Sequence, residues 1–324
     1  MSTLFSHFFQ NINQITPLES DFTEVLDTIA VKPKMLYFYG QMPKNVSENG
    51  ISSAVRNSET GASSRKSARP KTVAIVGSRH NTRYGEEVAY DLAYKLAKRG
   101  VVIVSGLAFG IDSIGHRACL DAGGKTVAVL GTPIDKIYPK EHEGLAREIV
   151  EKGGAVMSEY APGATVYPGK GSFLERNRLI SGLADVVVVV EAAEKSGTLN
   201  TAAHALTQGK DLFAVPGNIN NPYSRGCNRL IADGAFPYTE PDDVLRLLFP
   251  EDFARHHKKL KKDGLIGDSD LETAVLKTLA EGVRSGEEVM ARTLLPPELF
   301  NQTITLLEIK GRVRALGANN WTLA

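Results

Sequence analysis

Cations set beside glycine-bearing turns are what this chain offers to chemistry. Arg79 follows Gly77-Ser78, Lys140 follows Tyr138-Pro139, Arg176 and Arg178 flank Asn177, and Ser196-Gly197-Thr198 opens an apolar helical pattern. A guanidinium presents a fork of donors matched to phosphate. Glycine turns let a ligand approach backbone N–H groups, and a helix N-terminus leaves such groups unpaired for an anion. Several groups of this kind suit a run of phosphates better than a single one. The titratable residues offer less. Asp112 and His116 stand four apart and share a helix face, which fits an acid–base pair or, more ordinarily, a helix-side hydrogen bond. Glu159 and Glu191 end apolar runs and suit the orienting of Arg79 or Arg178. Ser78, Ser105 and Ser196 have no triad partner order, His256-His257 lacks metal-ligand spacing, and Cys119 and Cys227 form no CxxC. The GxGxxG fingerprint is absent. Neither a catalytic pair, a metal nor a cofactor is expected.

Strand–loop–helix units must position these residues. Val73-Ala74-Ile75-Val76 is a continuous apolar run, the mark of a parallel strand buried on both faces, and it runs into Gly77-Ser78-Arg79. Val88, Ala89, Leu92, Ala93, Leu96 and Ala97 then make one helical stripe that Gly100 ends. The strand 101–104 opens into the glycine loop 105–112. The alternation continues through strands at 126–130, 155–157, 186–190 and 212–215, with helices at 145–151, 173–183 and 199–208. Gly226-Cys227-Asn228 opens the last helix of the series. This predicts an α/β fold, a doubly wound and mostly parallel sheet, whose loops meet at one carboxyl edge where ligands bind.

The chain has 324 residues, 42% hydrophobic and 23% charged, an ordinary globular composition. Its formal net charge is +1, so an anion-binding surface has to be a local patch. Residues 1–9 are too short and polar for a signal peptide, and no apolar run reaches membrane-spanning length, so a cytoplasmic protein is expected. Residues 1–43 form a short extension with a weak helix at 22–29 and a strand at 35–39. Residues 44–70, rich in Ser, Asn, Gly and Arg, read as a flexible polar insertion with a basic end. The α/β core takes 71–250, and a charged linker takes 251–268. Residues 269–324 read as three helices and a hairpin, a winged helix. Its third helix is poor in cations, with Glu298, Glu308 and only Lys310, which favours a protein-contact or structural role over groove reading.

In order along the core stand VAIVGSR, SGLAFGID, IYPK, SEY, RNRLISGLAD, VVVVEA, SGTLNTA and FAVPGN. Over about residues 71–240 this series resembles the DNA-processing protein A (DprA/Smf) family. The resemblance implies an extended Rossmann-like core that binds single-stranded DNA and loads the RecA recombinase onto it during natural transformation. It implies a homodimer formed through the end of that core, and no enzymatic activity. Arg79 and Lys140 would be the principal DNA contacts. Gly77, Ser78, the 106–110 loop with Gly106 and Gly110, and Arg176, Asn177 and Arg178 would line the groove. Asp112, Ser196, Gly197 and Thr198 join that interface by their place at the same edge. Gly226, Asn228, Leu230, Ile231 and Tyr238 would fall on the dimer and RecA surface.

The sequence departs from the family pattern at several points. The helical N-terminal module is missing or reduced to residues 1–30, and residues 44–70 are longer and more polar than the usual connection. Gly131-Thr132-Pro133 stands where a glycine-richer loop is usual, Gly115 replaces an alanine, and Asn228 occupies a variable position of the dimer segment. Two other classes stay open. The SGTLNTA loop is similar to that of lysine-decarboxylase-like phosphoribohydrolases, but Leu199-Asn200-Thr201 follows Thr198 where those carry a catalytic glutamate. A nucleotide-sensing module without nucleic acid is the other.

Overall fold

Buried valine runs and amphipathic stripes assemble into a sheet with helices on it. The computed structural model describes residues 11–44, 69–166, 169–251, 265 and 267–324, and the chain divides into two units, Met1–Leu248 and Phe249–Ala324. Most of the polar insertion and of the charged linker, His256-His257 included, lies outside the described residues.

The first unit is built on strands β1 (Asn13–Ile15), β2 (Leu36–Gly40), β3 (Thr72–Val76), β4 (Val102–Ser105), β5 (Thr126–Leu130), β6 (Ala155–Ser158), β7 (Val186–Val189), β8 (Asp211–Ala214) and β9 (Phe236–Pro237). They form one sheet in the order β1-β2-β6-β5-β4-β3-β7-β8-β9. From β6 to β9 every pairing is parallel, while β2 joins β6, and β1 joins β2, antiparallel. The extension thus covers what would be an open parallel edge. The helices are α1 (Arg83–Lys98), α2 (Ile111–Asp121), α3 (Glu143–Glu151), α4 (Lys170–Leu183), α5 (Thr198–Thr207), α6 (Arg225–Ala232) and α7 (Pro241–Leu248). Alternate strand residues face opposite layers. Ala74, Val76, Val187 and Val189 share a core with Leu179, Ile180 and Leu183 of α4 and Ala202 and Ala205 of α5. Ala128 and Leu130 face Leu145, Ala146 and Ile149 of α3 in another core. The chain runs outward from β3 through β4 and β5 to β6, then returns to the other flank of β3 for β7. That reversal leaves a crevice between β3 and β7, because their connections leave the sheet in opposite directions.

The second unit holds α8 (Asp270–Ala280), α9 (Gly286–Thr293), α10 (Pro297–Ile309) and the antiparallel hairpin β10 (Val313–Gly317) and β11 (Asn320–Leu323). Val275, Leu276, Val289, Phe300, Ile304, Leu307 and Val313 make its core. This is the winged helix the periodicity predicts.

Two local expectations need correction. The weak helix at 22–29 is instead a pair of 3₁₀ turns, Pro17–Glu19 and Glu24–Thr28. The Thr23 hydroxyl lies within reach of Pro17 O at 2.8 Å and Ser20 O at 3.3 Å, a side-chain competition that disfavours a regular helix. Phe22, Leu26 and Ile29 are buried nonetheless. The series does not end with α6, because α7 follows it. Asp243 Oδ2 accepts from the Thr239 and Glu240 N–H groups and the Thr239 hydroxyl, bracing its first turn.

Candidate nucleic-acid interface

The crevice between β3 and β7 holds a cavity of about 580 Å³ lined by Gly77, Ser78, Arg79, Phe173, Asn177 and Thr198, among others. The loops after β3, β4 and β7 and the first turns of α4 meet there, and they are tied to one another. The Ile111 N–H donates to Ser78 O at 3.2 Å. Gly110 has φ +75°, and a Cβ there would stand 2.3 Å from Ser78 O, so the two loops touch only because position 110 is glycine. The Thr198 hydroxyl donates to Gly77 O at 3.0 Å, joining the β7 loop to the β3 loop.

Beneath the rim lies a buried polar staple. Arg176 donates from Nη1 to Gly106 O at 2.8 Å and also to Val129 O. The Gly106 N–H donates to Asp112 Oδ2 at 3.0 Å. Burial pushes the Asp112 carboxyl up, against the pull of the Arg176 charge, and pushes Arg176 down to about 10, still protonated at neutral pH. The pair fixes the β4 loop from below.

The predicted residues therefore separate into two sets. Arg79 and Lys140 are exposed, and neither has an ion pair among the described residues. Arg79 lies over the Phe173 ring at 5.3 Å, at the mouth of the cavity. Arg178 is 9% exposed, and its Nη2 donates to both oxygens of Glu159, at 2.8 and 2.7 Å. Asp112 and Arg176 are buried at 6% and 5% exposure. Asp112 and Arg178 are therefore buried groups with a supporting part in the fold, Asp112 through the Gly106 N–H and Arg178 through Glu159, although Asp112 also borders the cavity. Arg176 borders the cavity, and its Nη1 serves two backbone carbonyls. Asn177 borders it too, donating to Asn200 Oδ1 at 3.2 Å.

The carboxylates and histidines also resolve. Glu159 orients Arg178, whereas Glu191 accepts from the Thr82 N–H and hydroxyl and holds no arginine among the described residues. His116 pairs with Thr126, not with Asp112, and the two form no acid–base couple. The serines likewise serve structure: Ser105 Oγ donates to Ile75 O at 2.6 Å, and Ser196 Oγ to Thr198 Oγ1 at 3.0 Å. On the expected partner segment, Gly226 and Tyr238 are buried, and Leu230 and Ile231 lean on the core. The Asn228 amide brackets Gly217, accepting from its N–H and donating to its O. The large apolar residue of that segment that reaches solvent is Phe236, at 49% exposure. Among the described residues no cluster of His, Cys, Asp or Glu could hold a metal, and no helix is long and apolar enough to cross a membrane.

Aromatic rings are what sequence reasoning missed. Tyr138 is 44% exposed and packs on Phe173 with centroids 5.4 Å apart, and Phe109 is 45% exposed on the neighbouring loop. All three border one shallow cleft with Arg79. Base-stacking surfaces beside cations are the means by which proteins hold single strands. Phe109 and Tyr138 stand in SGLAFGID and IYPK and Phe173 opens the predicted helix 173–183, but nothing local shows that the three rings converge.

Comparison with known proteins bears on this geometry. A family model described as DNA recombination-mediator protein A matches residues 59–249, and one described as DprA winged helix domain matches 261–319. Protein Smf of Escherichia coli is 47% identical over 176 residues, 54% of this chain and 46% of that protein. Protein Smf of Synechocystis is 34% identical over 301 residues, 92% of this chain and 69% of that protein. The chain spans about half the length of the first curated relatives it matches. DNA processing protein A of Helicobacter pylori, whose structure is described for its single-stranded DNA binding mode, superposes with TM-score 0.60 at 30% identity, over 76% of this chain and 98% of that one.

Proposed function

The chain belongs to the DNA recombination-mediator protein A family, and from that premise we propose that it grips single-stranded DNA along the rim of the β3–β7 crevice and passes the strand to a RecA-type recombinase. Arg79 carries the reading. It is an exposed guanidinium without an ion pair among the described residues, set over an aromatic ring at the mouth of a cavity at the topological switch point. Backbone phosphates would take Arg79 and Lys140, and bases would take Tyr138 and Phe173. Work on incoming DNA during transformation, in the cytoplasm and as a homodimer, goes with this reading. The reading has no bond-making step, since the serines and carboxylates nearest the cavity are engaged in holding loops. A phosphoribohydrolase would need a glutamate in the loop where Leu199 and Asn200 follow Thr198.

A rim of loops can follow one flexible strand but offers no helix shaped for a major groove. Oligo-dT should therefore bind well ahead of a blunt duplex of equal length, with little base preference, in a fluorescence-anisotropy titration at fixed salt. Equal affinities for the two would overturn the proposal, and free base released from nucleoside monophosphates would favour the hydrolase.

A further inference from the structure

We propose that Phe109 is a further base-stacking contact beside the Arg79 site, and that His142 is the residue that positions it. The inference rests on the strand-binding reading above. Phe109 leaves nearly half its surface in water, an unfavourable place for an apolar ring unless something covers it. One side of the ring leans on the His142 imidazole, centroids 4.8 Å apart at 60°. It also borders the same shallow cleft as Arg79 and Tyr138.

His142 explains how the ring is held out. The imidazole is 6% exposed, and its Nδ1 stands 2.7 Å from Leu107 O. A carbonyl only accepts, so Nδ1 carries the proton and donates. Leu107 sits at φ +59°, a left-handed conformation that leucine rarely adopts, with its own side chain fully buried. Burial of Leu107 and the imidazole N–H together fix this turn, and Phe109 emerges two residues later. His142 comes from the short turn Lys140–His142, which also carries the exposed Lys140. One turn therefore presents a cation to solvent and reaches inward to brace the ring of the next loop. A strand seated at Arg79 would meet a phosphate partner at Lys140 and a stacking face at Phe109.

The test is a double-mutant cycle in the full-length protein, read on oligo-dT and on an abasic oligonucleotide with the same number of phosphates. Phe109→Leu should lose roughly five-fold or more of its oligo-dT affinity, the low end of one base–aromatic stack, and nothing on the abasic strand. His142→Gln should show the same selective loss, and the double variant no further loss, because both remove one contact. The salt slope should stay at the wild-type value in all three. Unchanged oligo-dT affinity in Phe109→Leu would overturn the proposal, as would single losses that multiply in the double variant. The Phe109 arm changes a half-exposed ring, so it remains decisive if His142→Gln fails to fold. Quenching of a 2-aminopurine base by wild type, relieved in Phe109→Leu, is the matching spectroscopic readout. If wild type binds no single strand at all, the strand-binding reading itself fails. If it binds independently of Phe109, only this inference does.

Discussion

Arg79 and Arg178 should respond differently to truncation. On the strand-binding proposal Arg79→Ala removes a phosphate partner, so oligo-dT affinity should fall by about 1–3 kcal/mol. The slope of log affinity against log salt should become shallower by about 0.7. Lys140→Ala should change the slope alike but weaken binding less, as an ammonium lacks the bidentate fork. Arg178→Ala instead strands Glu159 and should lower the melting temperature while leaving the slope at the wild-type value. Salt titrations of the three variants with thermal melts would show it, and an Arg79→Ala protein with an unchanged slope would remove Arg79 from the phosphate contacts. His116 supplies an acid-sensitive term. The Thr126 hydroxyl donates to Ile103 O at 2.7 Å, so its oxygen accepts from His116 Nδ1–H at 2.6 Å and leaves Nε2 unpartnered. Burial pulls this imidazole down to about 3. Below the unfolded value of about 6.5 the unfolded chain takes a proton that the folded chain refuses. This contribution is therefore complete above pH 6.5 and is lost towards pH 3, at up to about 1.4 kcal/mol per pH unit. Thermal unfolding at pH 7 and pH 5 should show a smaller acid loss in His116→Gln than in wild type.

At the scale of elements, the site is a set of loops lashed to one another. The β3 loop is held by Ile111 from one side and by Thr198 from the other. Glycine at 110 is what lets the first of these contacts form. Gly110→Ala would force an L side chain to φ +75° and drive its Cβ against backbone. It should destabilise the protein by roughly 1–3 kcal/mol and displace Ser78 and Arg79, weakening oligo-dT binding as well. Gly123→Ala is the control, since it shares the left-handed φ, at +76°, but meets nothing within 4 Å. It should lower the melting temperature without touching affinity. Equal affinity losses in the two variants would show that backbone strain, not the loop contact, is responsible.

At the scale of the whole molecule, each unit has a core of its own, and the third helix of the second offers DNA few cations. The exposed face of α10 carries Glu298, Leu299, Asn301, Gln302, Leu306, Glu308 and Ile309, with no lysine or arginine. Lys310, just beyond it, is held by Asp268 at 2.7 Å and Glu272 at 2.6 Å. A chain ending at residue 250 should keep single-strand affinity within a few-fold of the full-length protein, once circular dichroism shows it folded. A collapse of affinity in that folded truncation would assign DNA contact to the winged helix.

The sequence alone determined the parallel sheet and the winged helix, and it singled out Arg79 and Lys140, both of which the fold leaves exposed. Hydrophobic period and glycine-ended strands are local signals, and five consecutive valines at 186–190 admit hardly any other reading. It also carried the family, through motifs spread in order along the core. What it left undecided is which polar groups remain free. Arg79 and Arg178 look alike in one dimension, and only the folded chain shows that a carboxylate nineteen residues upstream engages one, while no carboxylate among the described residues engages the other. The aromatic cleft has the same character, because Phe109, Tyr138 and Phe173 come from three elements. Convergence of that kind follows from long-range packing, so no window of sequence contains it.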